Sequence, residues 1–166
     1  MAIVQKITPC LWFDHQAEQA AKFYVSIFSK SGIEAVTHYD KESSERIGKP
    51  AGSVLTVNFR LEGQTFTALN GGPKFPPSPA FSLVVHCESQ DEVDAYWEKL
   101  GAGGDPTWQA CGWLQDKFGL SWQIVPEAFL AMITSKDAVK SARVMKAMLQ
   151  MKKLDLPALQ RAYEGR

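Results

Sequence analysis

Gly71-Gly72-Pro73-Lys74-Phe75-Pro76-Pro77-Ser78-Pro79 cuts the sequence into two halves built on one plan. Four prolines in this stretch hold it extended and withdraw the backbone donors that a helix or central strand needs. Just before it, residues 54–61 and 64–69 read as two strands joined by the tight turn Glu62-Gly63. In the first of these, Leu55, Val57, Phe59 and Leu61 alternate with Thr56, Asn58 and Arg60, so one face is apolar and the other polar. Further back, residues 33–39 are a strand and residues 40–52 a charged, mobile loop containing Gly and Pro. Residues 16–28 have helical spacing, with Ala17, Ala20, Ala21, Tyr24 and Phe28 on one side. Asp14 or His15 is the expected helix cap, Asp being the better N-cap. Residues 7–13 are the first strand.

Beyond the prolines the order restarts. Residues 80–87 read as a strand, and residues 90–100 as a helix ended by Gly101. Residues 108–115 and 119–125 read as strands, closed by Pro126. The halves are an internal repeat: Phe23-Tyr24 matches Tyr96-Trp97, and Gly63-Gln-Thr-Phe66-Thr67 matches Gly119-Leu-Ser-Trp122-Gln123. The expected fold is α+β. Two β-α-β-β-β modules, 1–72 and 80–126, flank a Pro-rich linker over 73–79, form one structural domain, and precede a helical arm over 127–166. The arm holds Met132, Met145, Met148 and Met151, four of the five methionines. Thr134-x-x-Asp137 reads as a capping box before a helix to about Lys153, and Asp155-Leu-Pro157 opens another. Val139, Ala142, Met145, Met148 and Leu149 form an apolar stripe expected to pack on the domain or on a partner subunit, with a Met-rich docking surface as the alternative. Lys140, Arg143 and Lys146 are expected on a solvated face.

Composition excludes several classes. Lys+Arg and Asp+Glu balance at 18 each in 166 residues, which leaves no field to bind nucleic acid by counterion release. No apolar run reaches the ~20 residues of a membrane span. The opening Met-Ala-Ile-Val-Gln-Lys has no long apolar segment of a secretory signal. Cys10, Cys87 and Cys111 are odd in number, widely spaced and without a Cys-x-x-Cys pair, so free thiols and a cytoplasmic location are expected.

The segment Cys111-Gly-Trp-Leu-Gln-Asp-Lys-Phe-Gly-Leu-Ser-Trp-Gln-Ile-Val-Pro126 is joined by Ile7-Thr-Pro-Cys-Leu-Trp-Phe-Asp14 and by Ala17-Glu-Gln-Ala20 running to Phe23-Tyr24. Together they resemble the PhnB-like branch of the vicinal oxygen chelate superfamily, which includes glyoxalases, extradiol dioxygenases and bleomycin-resistance proteins. The tail from Met145 to Tyr163 is similar to the same branch. The resemblance implies paired modules whose mixed sheets curl around a cavity, usually in a homodimer. It also implies metal ligands on the cavity faces of the first and last strand of each module. Those places here are Thr8, Thr67, Ser82 and Gln123, all neutral. Their neighbours Pro9, Phe66, Ala68, Phe81, Trp122 and Ile124 are not ligands either, so a slip in register does not restore a site.

A catalytic divalent metal wants about three imidazole, carboxylate or thiolate ligands. His15, His38 and His86 lie in separate elements without metal-site spacing. Neither a metal nor another cofactor is expected. Some members of the branch carry a demethylubiquinone methyltransferase-like label. A cofactor-binding methyltransferase would place a Gly-rich turn between an early strand and helix, whereas Gly101, Gly103 and Gly104 follow a helix.

Strand alternation assigns the cavity lining: Thr8, Cys10, Trp12, Thr56, Asn58, Thr65 and Thr67 from the first module, and Ser82, Val84, His86, Ser121 and Gln123 from the second. Such a mixed apolar and hydrogen-bonding wall suits a small organic molecule. Trp12 and Trp113 offer stacking surface, while Trp122 should face the helices. Cys10 and His86 occupy equivalent strands and form a candidate nucleophile–base pair, set against the more ordinary reading of a packed Cys and a hydrogen-bonded His. The leading expectation is a homodimeric, metal-free protein that binds or sequesters a small molecule. The alternatives are a glyoxalase- or dioxygenase-like metal-dependent lyase or oxygenase, a Cys/His-dependent detoxification enzyme, and an interaction module acting through the tail.

Overall fold

The alternation read in the first half folds into a four-stranded sheet carrying one long helix. The computed structural model describes residues 5–166; residues 1–4, the start of the stretch read as lacking a signal sequence, lie outside it. The chain divides into two compact units, one ending at Pro77 and the other spanning Ser78–Arg166.

The first unit runs β1 (Cys10–Phe13), α1 (Ala17–Ile27), β2 (Gly32–His38), α2 (Lys41–Ile47), β3 (Val54–Leu61) and β4 (Gln64–Asn70). Sheet order is β1-β4-β3-β2, with β1 parallel to β4 and the other pairs antiparallel. Leu11, Phe13, Val57, Phe59, Leu61, Phe66 and Ala68 are buried on one face, as are Ala17, Ala20, Ala21 and Tyr24 on α1. Phe59 stacks on Phe66 at 5.4 Å and meets Tyr24 at 6.2 Å. Each such side chain removed from water contributes about 1.5–3 kcal/mol, so this face drives the unit's folding. The β3–β4 turn places both Glu62 (φ 46°) and Gly63 (φ 83°) in the left-handed region, as a two-residue hairpin requires.

Three readings of this half need correction. The first strand begins at Cys10 rather than residue 7, although the Pro9 carbonyl still accepts the Thr67 N–H at 3.0 Å. Residues 40–52 are not a mobile loop. Asp40 caps α2 by accepting the Ser43 N–H at 2.7 Å, Gly48 ends it at φ 76°, and Lys49 is tied to Asp14. Asp14 does not cap α1. Gln16 is the N-cap and makes no side-chain bond, while the Ala17 N–H goes to Asn70 Oδ1 at 2.8 Å. Asn70 wins because it is buried at the end of β4, with its amide also donating to the Val54 carbonyl.

The second unit runs β5 (Ser82–Cys87), α3 (Gln90–Gly101), β6 (Trp113–Gln115) and β7 (Ser121–Pro126), with sheet order β5-β7-β6. Again the outer strand pair β5/β7 is parallel and the hairpin β6/β7 antiparallel. Among the described residues this sheet has three strands, with no counterpart of β2. Residues 108–112, read as the start of a strand, instead follow a 3-10 turn at Pro106–Trp108 and double back at Cys111 (φ 53°) and Gly112 (φ 85°). A Cβ on Gly112 would lie 3.1 Å from the Ile124 carbonyl oxygen and 3.1 Å from Leu154, so this tight turn requires glycine. The β6–β7 turn is organised by the buried Asp116. Its carboxylate accepts the N–H groups of Phe118 and Leu120 and the Trp122 indole N–H at 2.8 Å.

The arm forms α4 (Glu127–Ile133), α5 (Ala138–Met148) and α6 (Leu156–Glu164). α4 was not anticipated. The arm packs on its own unit through Val125, Phe129, Met132, Val144, Leu154 and Leu159. The expected capping box is absent: Thr134 bonds back to the Leu130 carbonyl, and Asp137 alone caps α5. Asp155 caps α6 as expected. On its own unit the apolar stripe packs only in part: Met148 lies against this cluster, whereas Val139 and Leu149 are 66% and 62% exposed and the buried residue of the helix is Val144, outside the stripe. Two cations expected on a solvated face dock instead: Arg143 donates to the carbonyls of Ala162 and Tyr163, and Lys140 lies over the Tyr163 ring. No described helix is long and apolar enough to cross a membrane.

Candidate functional site

In each sheet the face opposite the helix-packed one mixes polar and apolar side chains. In the first unit, register aligns Cys10, Thr67, Asn58 and Ala35 in a row across β1, β4, β3 and β2. The next row is Trp12, Leu69, Thr56 and Thr37. Side chains within a row are close enough to interact. Thr67 donates its hydroxyl to Asn58 Oδ1 at 2.9 Å, and the hydroxyls of Thr37 and Thr56 meet at 2.6 Å. Thr8 precedes β1 and is half-buried.

Trp12 is fixed on three sides. Its indole N–H donates to the Gly72 carbonyl at 2.8 Å. Its ring crowds Gly71, where a Cβ would sit 2.2 Å from a ring carbon, so only glycine allows the contact. Phe75 stands edge-on at 5.1 Å and 78°. The sequence reading took Phe75 merely as part of a spacer. The available signal was two glycines and an aromatic directly after a strand with Trp12 on its neighbour's mixed face.

In the second unit the rows are Ser82, Ser121 and Gln115, then Val84, Gln123 and Trp113. Gln123 Nε2 donates to Ser82 Oγ at 2.9 Å. His86 shares this face and is exposed, whereas Trp122 points to the helix side and is buried. Thus Cys10, Trp12, Asn58 and Thr67 share one face of the first sheet, and Ser82, His86 and Gln123 one face of the second.

The electrostatics of these faces are mild. The Cys10 thiol is exposed, but partial desolvation pushes its pKa up, opposite to the shift that activates a nucleophile. Cys10 and His86 belong to different units. Among the described residues no three His, Cys, Asp or Glu side chains gather where an ion could be held. The hydroxyls and amides present do not fit a divalent metal, which needs basic or anionic donors. A separate cavity of about 310 Å³ in the first unit is lined by Asp14, His15, Glu18, Lys49 and Asn70, among others. Its charges are spent on one another: Lys49 and His15 bond Asp14, holding its carboxyl below the usual range, and Glu18 pairs with Lys22.

The fold and these faces define a vicinal oxygen chelate protein. The chain belongs to the PhnB-like family whose model, described as 3-demethylubiquinone-9 3-methyltransferase, matches residues 5–125. It is 35% identical to the PhnB protein of Bacillus cereus, over 74% of this chain and 99% of that one, with a TM-score of 0.62. Protein PA1353 of Pseudomonas aeruginosa shares the fold at 20% identity and a TM-score of 0.56, over 75% of this chain and 98% of that one. The fosfomycin resistance protein FosX of Listeria monocytogenes matches at 17% identity and a TM-score of 0.46, over 75% of this chain and 93% of that one. No curated protein matches the chain. The family match ends at residue 125, which leaves the arm outside it.

Proposed function

We propose that this protein binds a small organic molecule on these mixed sheet faces without a metal. The observation that carries the reading is the pairing of neutral side chains at the places where the superfamily resemblance implies metal ligands. Gln123 is already bonded to Ser82, and Thr67 to Asn58. Ligands so satisfied orient an organic molecule by hydrogen bonds and shape; they lack the charge and basicity to hold zinc, iron or nickel against water. The methyltransferase activity in the family's description gains no support from the residues. The β1–α1 turn is Asp14-His15-Gln16, with no glycine to let a backbone cradle approach a nucleotide-type cofactor. Three free thiols favour a reducing, cytoplasmic setting, and a homodimer is the assembly proposed.

The test is elemental analysis of protein purified without chelator, combined with nickel, zinc and iron titration followed by thermal melting. Sub-stoichiometric metal and no rise in Tm are expected. A stoichiometric ion whose binding is lost in a Ser82→Ala, Gln123→Ala double variant would overturn the reading.

A further inference from the structure

We infer that the ligand taken by the first unit is uncharged and carries a flat aromatic ring. This rests on the proposed small-molecule role and narrows it to a chemical class. The ring belongs against Trp12 and Phe75. Two aromatic rings with centroids 5.1 Å apart and planes at 78° make a corner, and a flat ring can stack on one wall while presenting its edge to the other. The corner is preformed: the Trp12 indole is held by Gly72 and seated on Gly71, so little rotamer freedom is lost on binding. Phe75 is 53% exposed, so its ring is accessible.

Neutrality follows from the neighbours. The two rows around the corner, Cys10-Thr67-Asn58-Ala35 and Trp12-Leu69-Thr56-Thr37, contain no charge. Arg60, further along β3, is paired with Glu34. Lys49, near Gly72, is paired with Asp14. Lys74, which is exposed, lies over the Phe75 ring at 5.3 Å, a contact that leaves its charge in place and solvated by water. An ionic ligand would shed water on these rows with no counter-charge in either of them. The Asn58–Thr67 pair instead offers neutral donors and acceptors to an amide or hydroxyl beside the ring.

The experiment uses the full chain, 15N-labelled, with three probes: 2-naphthamide, 2-naphthoate and cyclohexanecarboxamide. Binding is followed by the indole signal of Trp12 and the side-chain amide signals of Asn58. 2-Naphthamide should shift both sets and bind about tenfold more tightly than cyclohexanecarboxamide, the ratio a favourable aromatic contact supplies. It should exceed 2-naphthoate by about tenfold or more, since the anion finds no counter-charge in the two rows and must be desolvated there. Phe75→Leu, at an exposed position, should lower 2-naphthamide affinity several-fold and leave the Tm unchanged. Equal or tighter binding of 2-naphthoate overturns neutrality and shows that Lys74 recruits anions. Equal binding of cyclohexanecarboxamide, or shifts that bypass Trp12, overturns the aromatic corner. Either result leaves the broader small-molecule reading standing. Silence from all three probes at both residues overturns the aromatic inference and counts against small-molecule binding at this face; metal titration then tests the remainder of the proposed function separately.

Discussion

Asp116 is a charged residue whose role is structural. Buried at the β6–β7 turn, it collects two backbone N–H groups and the Trp122 indole, and so fixes the Lys117-Phe118-Gly119-Leu120 turn and the Trp122 ring together. The stretch that most resembles the family is therefore a folding device around one carboxylate. Asp116→Ala should cost about 3 kcal/mol, because charge-assisted bonds are lost and a buried indole N–H is stranded; urea unfolding measures it. The thiols give a second prediction. Burial, then Glu92 and Glu127, push Cys87 from 9.0 up to about 12. The folded state thus keeps a proton that the unfolded chain releases, so Cys87 contributes stability that is intact below about pH 9 and declines as pH rises towards 12. Cys87→Ala should flatten the alkaline limb of a stability–pH curve, read as denaturation midpoints between pH 7 and 10.5. In native protein, iodoacetamide should label exposed Cys10 ahead of buried Cys87, with mass spectrometry locating the adducts.

At the scale of elements, alternation was legible wherever one face is dry. β3 and β4 carry apolar residues at every second position, and the turn between them is announced by Gly63, so the hairpin and the shared face of Asn58 and Thr67 were legible; their hydrogen bond was not read. Ser82 and Gln123 were placed on one face, but the hydrogen bond between them depends on the parallel pairing of β5 with β7. What was not legible depends on partners far away in the chain. α2 exists because Asp40 caps it and because Ser44 and Lys49 are tied down, the latter by Asp14 thirty-five residues earlier. α5 shows the limit most clearly. Its hydrophobic residues suggested one buried side, yet Val139, Met145 and Leu149 are exposed while Met148 and Val144 pack, and Lys140 and Arg143 contact α6. A matched pair of variants checks this packing. Val144→Ala should cost about 2 kcal/mol by leaving a cavity, while Leu149→Ser should stay within about 0.5 kcal/mol as an exposed change. Reversed costs in denaturant titrations would restore the apolar stripe as the packed face.

At the scale of the molecule, the arm is bonded to the edge of the second sheet. The family match stops at residue 125, and the Bacillus cereus protein is covered almost end to end without the remaining quarter of this chain. Yet here the turn into edge strand β6 donates its Cys111 and Gly112 N–H groups to the carbonyls of Met151 and Lys152, at 2.8 and 2.7 Å. Gln90, opening α3, both donates to the Leu154 carbonyl and accepts the Leu156 N–H. Val125, the penultimate residue of β7, is buried in the arm's own cluster. The arm thus satisfies donors and covers apolar surface at the edge where the first sheet has a fourth strand. Ending the chain at Pro126 should therefore cost the second unit at least about 3–5 kcal/mol: two stranded backbone donors at about 1 kcal/mol or more each, plus the uncovered face of Val125. Against the 5–15 kcal/mol of an ordinary domain, that is enough to loosen it. Hydrogen exchange of residues 1–126 should show protection lost in β6 and at Cys111 and Gly112 and retained in β3 and β4. If protection at β6 matches that of the full chain, the hydrogen bonds to Met151 and Lys152 are incidental and the arm is an appendage.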